Sequence, residues 1–346
     1  MNTWGLSAEY TTRPAAMGDA ENAVVLFNRC AQELTGERPH DAENQRIEWH
    51  TPEFDLDRDT RIVLDRHGTV VGYAEIWDLE EPHVRVHGWG RVDPDHRGRG
   101  IGSWLLRWQE DRAQCAVERA PDGARVTLGH GALSKDASTQ ALLRSFGFEP
   151  VRSFCRMVIE MDGPPPPAVW PDGVAVRAFE PDQDLERTVR SVRDAFSDHW
   201  GHVDSPFDEE LKFWRHWITE EKDFDPTLWT LAMADGEVVG TCLGWPKRHE
   251  DDALGWIDVL GVVRPWRRRG LALALLRHAF CSFYARGKRK VGLGVDATSL
   301  TGANELYEKA GMRNVRESIA FEKELRPGRD LARRTLQEEG VGDGSG

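Results

Sequence analysis

A mixed α/β fold, built twice, is what the amino-acid sequence predicts. Three observations carry that reading. Short strand-like apolar runs alternate with longer helical stretches along the chain. The same motifs recur in the same order, 164 to 170 residues apart. The chain has 346 residues, enough for two domains of ordinary size.

The repeat rests on three anchors. HGTVVG at 67–72 returns as DGEVVG at 235–240, each after a short apolar run, and each reads as strand, glycine turn, strand. RGRGIG at 97–102 returns as RRRGLA at 267–272, and LLRSFGF at 142–148 as LYEKAGM at 306–312. Around them the elements fall in one order. A first helix spans about 21–35 and 183–196, followed by the hairpin. A strand at 84–92 and 254–263 leads through the glycine-rich turn to a long helix at 100–118 and 270–286. A strand at 124–130 and 289–296, a short helix at 138–146 and 301–310, and a last strand at about 151–160 and 315–325 complete each copy. The proline run DGPPPP at 162–167 reads as a stiff linker, so the domains are expected at 12–161 and 170–326. Residues 327–346 turn polar and end in GVGDGSG, the pattern of a disordered tail.

Composition narrows the function. Hydrophobic residues make up 40% and charged residues 30%, a globular balance. No run approaches 18 apolar residues, and no secretory signal opens the chain, so a cytoplasmic protein without a membrane partner is expected. The five cysteines are scattered, with no CxxC pair, which points to free thiols and no metal site. The net charge of −13 disfavours nucleic acid and suits a cationic small molecule. A monomer or a homodimer fits, since two copies can satisfy each other.

The glycine turns carry the strongest chemical signal. In both, a strand runs into Arg-x-x-Gly-x-Gly or Ala and then a helix: Arg97, Gly98, Arg99, Gly100, Ile101, Gly102 and Arg267, Arg268, Arg269, Gly270, Leu271, Ala272. Small residues let backbone N–H groups approach an anion, the helix start adds a positive dipole end, and the arginines add charge. A pyrophosphate is the expected ligand.

With its hairpin, the strand ending VDPDHRGRGIG or VVRPWRRRGLA, and the later LYEKAGM, the chain resembles the GNAT superfamily of acetyl-CoA-dependent N-acetyltransferases over nearly its whole length. The tandem arrangement is similar to that of the mycothiol synthase group. The resemblance implies two GNAT-like domains, acetyl-CoA as cofactor, and a glycine turn that holds the CoA pyrophosphate. It implies that Leu260, Val262 and Val263, with Val92 in the first copy, present backbone to pantetheine. It implies that Tyr307, in LYEKAGM, protonates the departing thiolate, and that Asp258, on the strand before Arg267, accepts the amine proton.

The copies differ at these positions. Leu143 stands where Tyr307 would, and Gly88, nine residues before Arg97, stands where Asp258 would. The second copy is therefore expected to be catalytic and the first degenerate. A packing role for the Tyr307 ring and a structural partner for Asp258 are the alternatives, and Asp296 and His199 are rival bases. The intact first glycine turn points to retained CoA binding or merely suits the turn. Leu300 replaces an asparagine that many relatives carry. The segment Ala195 to Gly201, with His199 and Trp200, is expected to line the acceptor site, and Asp296 to contact the substrate. Acidic and aromatic residues from Asp204 to Trp217 suit a cationic or polyhydroxy amine, although Trp214 and Trp217 also read as core. The expected reaction is direct acetyl transfer to a primary amine of a small molecule. The alternatives are acetylation of a cysteinyl amine, as in the mycothiol synthase group, and a silent CoA-sensing module.

Overall fold

The computed structural model describes residues 5–221, 223–247, 251–297 and 302–333. In the first half it contains β1 (Thr11–Arg13), α1 (Ala20–Thr35), α2 (Ala42–Trp49), α3 (Leu56–Asp59), β2 (Thr60–Leu64), β3 (Val70–Trp77), β4 (Arg85–Val92), α4 (Ile101–Arg119), β5 (Val126–Leu133), α5 (Ala137–Ser145) and β6 (Glu149–Glu160). The second half repeats the order with β7 (Ala175–Ala178), α6 (Pro181–Phe196), α7 (Phe207–Glu220), β8 (Trp229–Ala234), β9 (Glu237–Trp245), β10 (Leu254–Val262), α8 (Leu271–Ala285), β11 (Lys290–Asp296), α9 (Ala303–Lys309) and β12 (Arg313–Arg326).

Both halves start with the same clamp, which the sequence reading missed. Arg13 grips Asp19 with two guanidinium nitrogens at 2.7 and 2.8 Å, and Asp19 also accepts the Ala16 N–H. Arg177 grips Asp184 in the same way, and Asp184 accepts the Glu180 N–H at 2.9 Å. The arginine holds each carboxyl below the usual carboxylate range, against the opposing effect of burial. Each clamp fixes the strand that enters a half to the first helix that covers it.

The strands form one twelve-stranded sheet in the order β1-β2-β3-β4-β5-β12-β6-β11-β10-β9-β8-β7. Helices cover both faces, as the alternation along β2 shows: Ile62 packs in the α1 cluster and Val63 in the α4 cluster. In the second half α6 packs with Leu231 and Val238, and α8 with Val239 and Ile257. α8 carries an almost continuous apolar run, LALALL, because it is buried over most of its circumference.

The last strands are exchanged. β12 lies antiparallel to β5 of the first half, β6 lies antiparallel to β11 of the second, and the two pair with each other at the centre. The repeat assigns each last strand to its own copy in sequence, but in space it completes the other copy's sheet. β6 therefore ends inside the second half's sheet, and β7 begins at that sheet's far edge. The proline run between them crosses α8, where the Cys281 thiol donates to the Pro165 and Pro166 carbonyls at 3.9 and 3.8 Å. It is a strap over one half. Residues 327–333, expected to belong to the tail, are tied down instead. The Arg329 N–H donates to Gly123 O at 2.8 Å, and the Arg333 N–H to His202 O at 2.9 Å. Residues 334–346 lie outside the described residues.

Candidate active site

Each half contains one place where parallel strands part. β4 and β5 pair only from Arg85↔Thr127 to His87↔Gly129, and β10 and β11 only from Leu254↔Lys290 to Ile257↔Leu293. Beyond those points the facing edges of β4 and β10 are left with backbone groups that need other partners. A linear chain of amides could pair with that edge through Val92 in the first half and through Leu260 and Val262 in the second.

The glycine turn follows directly. Gly98 and Gly100 have φ of +73° and +84°, and Arg268 and Gly270 have φ of +61° and +84°. Alternating left-handed residues turn successive N–H groups toward one side, which forms an anion nest. Gly100 and Gly270 are the N-caps of α4 and α8, so the first helical N–H groups, from Ile101 and Gly102 or Leu271 and Ala272, face the same region without intrahelical acceptors. A Cβ on Gly100 or Gly270 would meet nothing within 4 Å, so backbone conformation, not crowding, favours glycine there. Arg99, Arg268 and Arg269 are exposed at this rim, with Arg269 over the Trp266 ring at 4.9 Å. The side chain of Arg267 has another task. Its guanidinium donates to Val262 O at 3.1 Å, Ala195 O at 2.9 Å and Asp198 at 2.5 Å, which ties the strand end to the loop after α6. Arg97 pairs with Glu33 at 2.7 Å.

In the first half the parted strands and the nest line a cavity of about 510 Å³. Val92, Gly98, Gly100, Ile101, Gly102 and Leu143 are among its walls, so the nest and a deep cleft are continuous there. At the inner end the His130 ring presses against β4. A Cβ on Gly88 would stand 2.3 Å from His130 Nε2, and that nitrogen is buried without a partner. Burial pulls the imidazole down to about 3, so it is neutral. The ladder of β4 with β3 is regular, with Ile76 opposite Gly88 and Glu75 opposite Trp89.

The second half departs from this pattern at one residue. β9 pairs with β10 as Gly244↔Ile257 and then Leu243↔Val259, so Asp258 is an extra residue without an opposite number. It is a β-bulge, and it re-aims the side chain. Gly88 is therefore not the counterpart of Asp258: the ladders place Gly88 opposite Ile76 just as Ile257 stands opposite Gly244, and the first half has no residue equivalent to Asp258. The repeat offset grows from 168 to 170 residues between the hairpin and the glycine turn, and this bulge supplies one of the two.

Asp258 is exposed, accepts a hydrogen bond from Trp256 Nε1 at 3.3 Å, and lies on the floor of a pocket of about 160 Å³. Trp245, Lys247 and Trp256 share the floor, α7 contributes His216 and Trp217, and α2 of the first half closes the opposite side with Asn44, Ile47 and Glu48. Tyr307 is 7% exposed and packs with Cys242 and Leu293 in the core under α8. Burial, and then the neighbouring Cys242 thiol, push its hydroxyl well above the usual tyrosine range, and the Cys242 thiol itself is pushed up to about 12. Cys242 stands opposite Leu260 in the β9–β10 ladder, which places Tyr307 beside the parted stretch of β10.

The remaining expected residues gather elsewhere. Asp296 is bound to Arg152 of β6 at 2.7 Å, so it is an ion-pair partner across the exchanged strands. The Arg152 guanidinium also lies 5.6 Å from the Trp200 ring, as does that of Arg85. His199 packs edge-on against Phe196 at 4.4 Å, and burial lowers its pKa, leaving it neutral. His199 and Trp200 thus belong to a loop that seats the second half on the first, outside the lining of the Asp258 pocket. Trp214 packs against Trp229 in the core, whereas Trp217 is 53% exposed at the pocket. Asn44, His216 and Lys247 went unnoticed in the sequence, since an ordinary polar residue on a helix or strand end carries no local signal. Leu300 lies outside the described residues. Among the described residues no three His, Cys, Asp or Glu side chains converge to hold a metal, and no helix is long and apolar enough to cross a membrane.

Comparison with known proteins agrees with this geometry. The acetyltransferase (GNAT) family model matches twice, at residues 24–148 and 189–312. A mycothiol acetyltransferase of Acidothermus cellulolyticus is 31% identical over 276 residues, covering 75% of this chain and 78% of its own. One of Thermobispora bispora is 33% identical over 301 residues, covering 85% and 92%. The crystal structure of a GCN5-related N-acetyltransferase from Sphaerobacter thermophilus superposes with a TM-score of 0.78 at 36% identity, covering 94% of this chain and 99% of that one.

Proposed function

The chain belongs to the acetyltransferase (GNAT) family and is an acetyl-CoA-dependent N-acetyltransferase, and from that premise we propose that its second half alone performs the transfer, to a primary amine of a small molecule held at the Asp258 pocket. The observation that carries this reading is the bulge, which gives one half a carboxylate at the parted strands and leaves the other without one.

The roles follow from the chemistry of each group. The nest of Arg268 to Ala272 suits the CoA pyrophosphate, and the free edge at Leu260 and Val262 suits the pantetheine amides; Val263, expected to share it, turns its N–H to Val239 O of β9 at 3.1 Å instead. Acetyl-CoA supplies the activated acyl group. Asp258 removes one proton from the ammonium of the acceptor, which frees the lone pair that bonds to the acyl carbon. As the tetrahedral intermediate collapses, the nitrogen loses its second proton to solvent, from which Tyr307 is reprotonated after it has served sulfur. When the carbon–sulfur bond breaks, Tyr307 gives its proton to sulfur. Burial keeps Tyr307 protonated until then, and a thiolate arising in the same dry space is more basic than one in water. Asp296, already paired with Arg152, and His199, neutral and packed on Phe196, are less suited to act as base. The first half keeps the nest and the larger cavity but lacks both proton-transfer groups, which supports its holding CoA without turnover.

The relatives' name, mycothiol acetyltransferase, supports the narrower reading that the resemblance implies, acetylation of a cysteinyl amine. The test is release of free thiol from acetyl-CoA with a panel of amines that includes a cysteinyl amine. One acetamide per thiol, at a rate set by the identity of the amine, is expected. Thiol release indifferent to the amine would contradict the proposal.

A further inference from the structure

One cation at the first half's cavity is left without a task by the transfer. Arg91 lies on β4 beside Val92, beyond the point where β4 and β5 part, and it lines the cavity of about 510 Å³. Side chains alternate along the strand. Trp89 packs with the α1 cluster and Val92 with the α4 cluster, so Arg91 points to the α1 side, where Cys30 and Leu34 join the wall. Its guanidinium donates from Nη1 to Gly90 O at 2.8 Å and rests on the Trp89 ring at 4.2 Å. Nε and Nη2 make no hydrogen bond to the described residues, and neither is sealed from a ligand. The carboxylates nearest in charge, Asp136 and Glu75, are engaged elsewhere. Asp136 caps α5 through Ser138 and Thr139, and Glu75 accepts from the Tyr73 hydroxyl at 2.6 Å and from Trp77 Nε1 at 2.9 Å. A cation withdrawn from water needs a partner, and none of the described carboxylates pairs with this one.

The second half has no such group. The ladders set Arg91 opposite Tyr73 and Gly261 opposite Thr241, one step from the matching pairs Val92↔Gly72 and Val262↔Gly240. A Cβ on Gly261 would meet Ala195 and Phe196 of α6 at 3.1 Å, so that side is closed. At this rung the half with the proton-transfer groups has glycine, and the half without them has an open cation.

We propose that the first half binds a CoA thioester whose acyl chain ends in a carboxylate, and that Arg91 takes that carboxylate. This rests on the reading of the first half as a CoA site and names which thioester it prefers. The nest suits the pyrophosphate and the Val92 edge the amides, and the acyl chain passes between the parted strands to the α1 side. There Nε and Nη2 offer the two parallel donors that a carboxylate accepts side by side.

The test is calorimetric titration of the full-length chain with succinyl-CoA and butyryl-CoA, which differ by a carboxylate in place of the terminal methyl. In the wild type one site is expected to take succinyl-CoA about tenfold more tightly than butyryl-CoA, and Gly100→Val should remove that site. Arg91→Met and Arg91→Gln should each bring the ratio toward one with butyryl-CoA affinity held, so either variant suffices if the other does not fold. Arg91→Lys, which keeps the charge and loses the fork, should retain part of the preference. Equal affinities in the wild type, or a preference that survives in the Met or Gln variant, would overturn the assignment and leave the first half an ordinary CoA site. If Gly100→Val removes no binding of either thioester, the reading of the first half as a CoA site fails, and the assignment falls with it.

Discussion

The carboxyl of Asp258 reaches the pocket because β10 carries one residue more than the strand beside it. Counting back from Arg267 found that residue, yet the same count in the first half stopped at Gly88, because a bulge is invisible to a fixed spacing. Tyr307 was legible through LYEKAGM, a local string. Asn44 and His216 were not, because only tertiary packing brings α2 to α7. The paired clamps were equally hidden, since an Asp in the first turn of a helix is common. They make a prediction at this scale. Asp184→Asn should lower stability by about 2 kcal/mol near neutral pH, as it breaks a buried charge-assisted pair. Arg177 depresses the Asp184 carboxyl, so its contribution is complete above the unfolded value near 4 and is lost as pH falls through the lower folded value. The gap between wild type and variant, measured by urea unfolding, should be full near pH 7 and shrink below about pH 4. A gap that stays constant on acidification would place the stabilisation in some other interaction.

Two elements do matching work in the two halves and lead to different outcomes. The glycine turns are nearly superimposable in φ, and both cap a long helix. Their conformation was readable because a left-handed turn ahead of a helix needs glycine at particular positions. The arginine before each turn was the exception, since Arg267 spends its hydrogen bonds on Val262, Ala195 and Asp198. If both nests hold CoA, calorimetric titration should give a stoichiometry near two per chain. Gly100→Val should reduce that to one and leave turnover intact, because a β-branched residue at φ +84° is strained. Gly270→Val should also leave one bound CoA but lower turnover about tenfold or more. A full loss of activity from Gly100→Val would assign catalysis to the wrong half.

On the scale of the whole molecule, the exchanged strands make the two halves one body. β6 and β12 carry each half's last strand into the other's sheet, and the 327–333 segment and the His199–Trp200 loop add further ties. The repeat and the mixed α/β class were evident from the sequence, but the short entering strands β1 and β7 and the helices α2, α3 and α7 were not. Strand exchange was not, because the apolar pattern of a strand says that it is buried and not which neighbour buries it. The exchange explains how a half without the bulge still matters to it: that half completes the sheet on which the bulge is built and supplies a wall of the Asp258 pocket. The inequality of the halves is put to the test by the rate of thiol release from acetyl-CoA in Tyr307→Phe beside Leu143→Ala. With catalysis confined to the second half, kcat should fall about a hundredfold in Tyr307→Phe with the acetyl-CoA KM nearly unchanged, and change little in Leu143→Ala. An unaltered kcat in Tyr307→Phe together with a large loss in Leu143→Ala would contradict it.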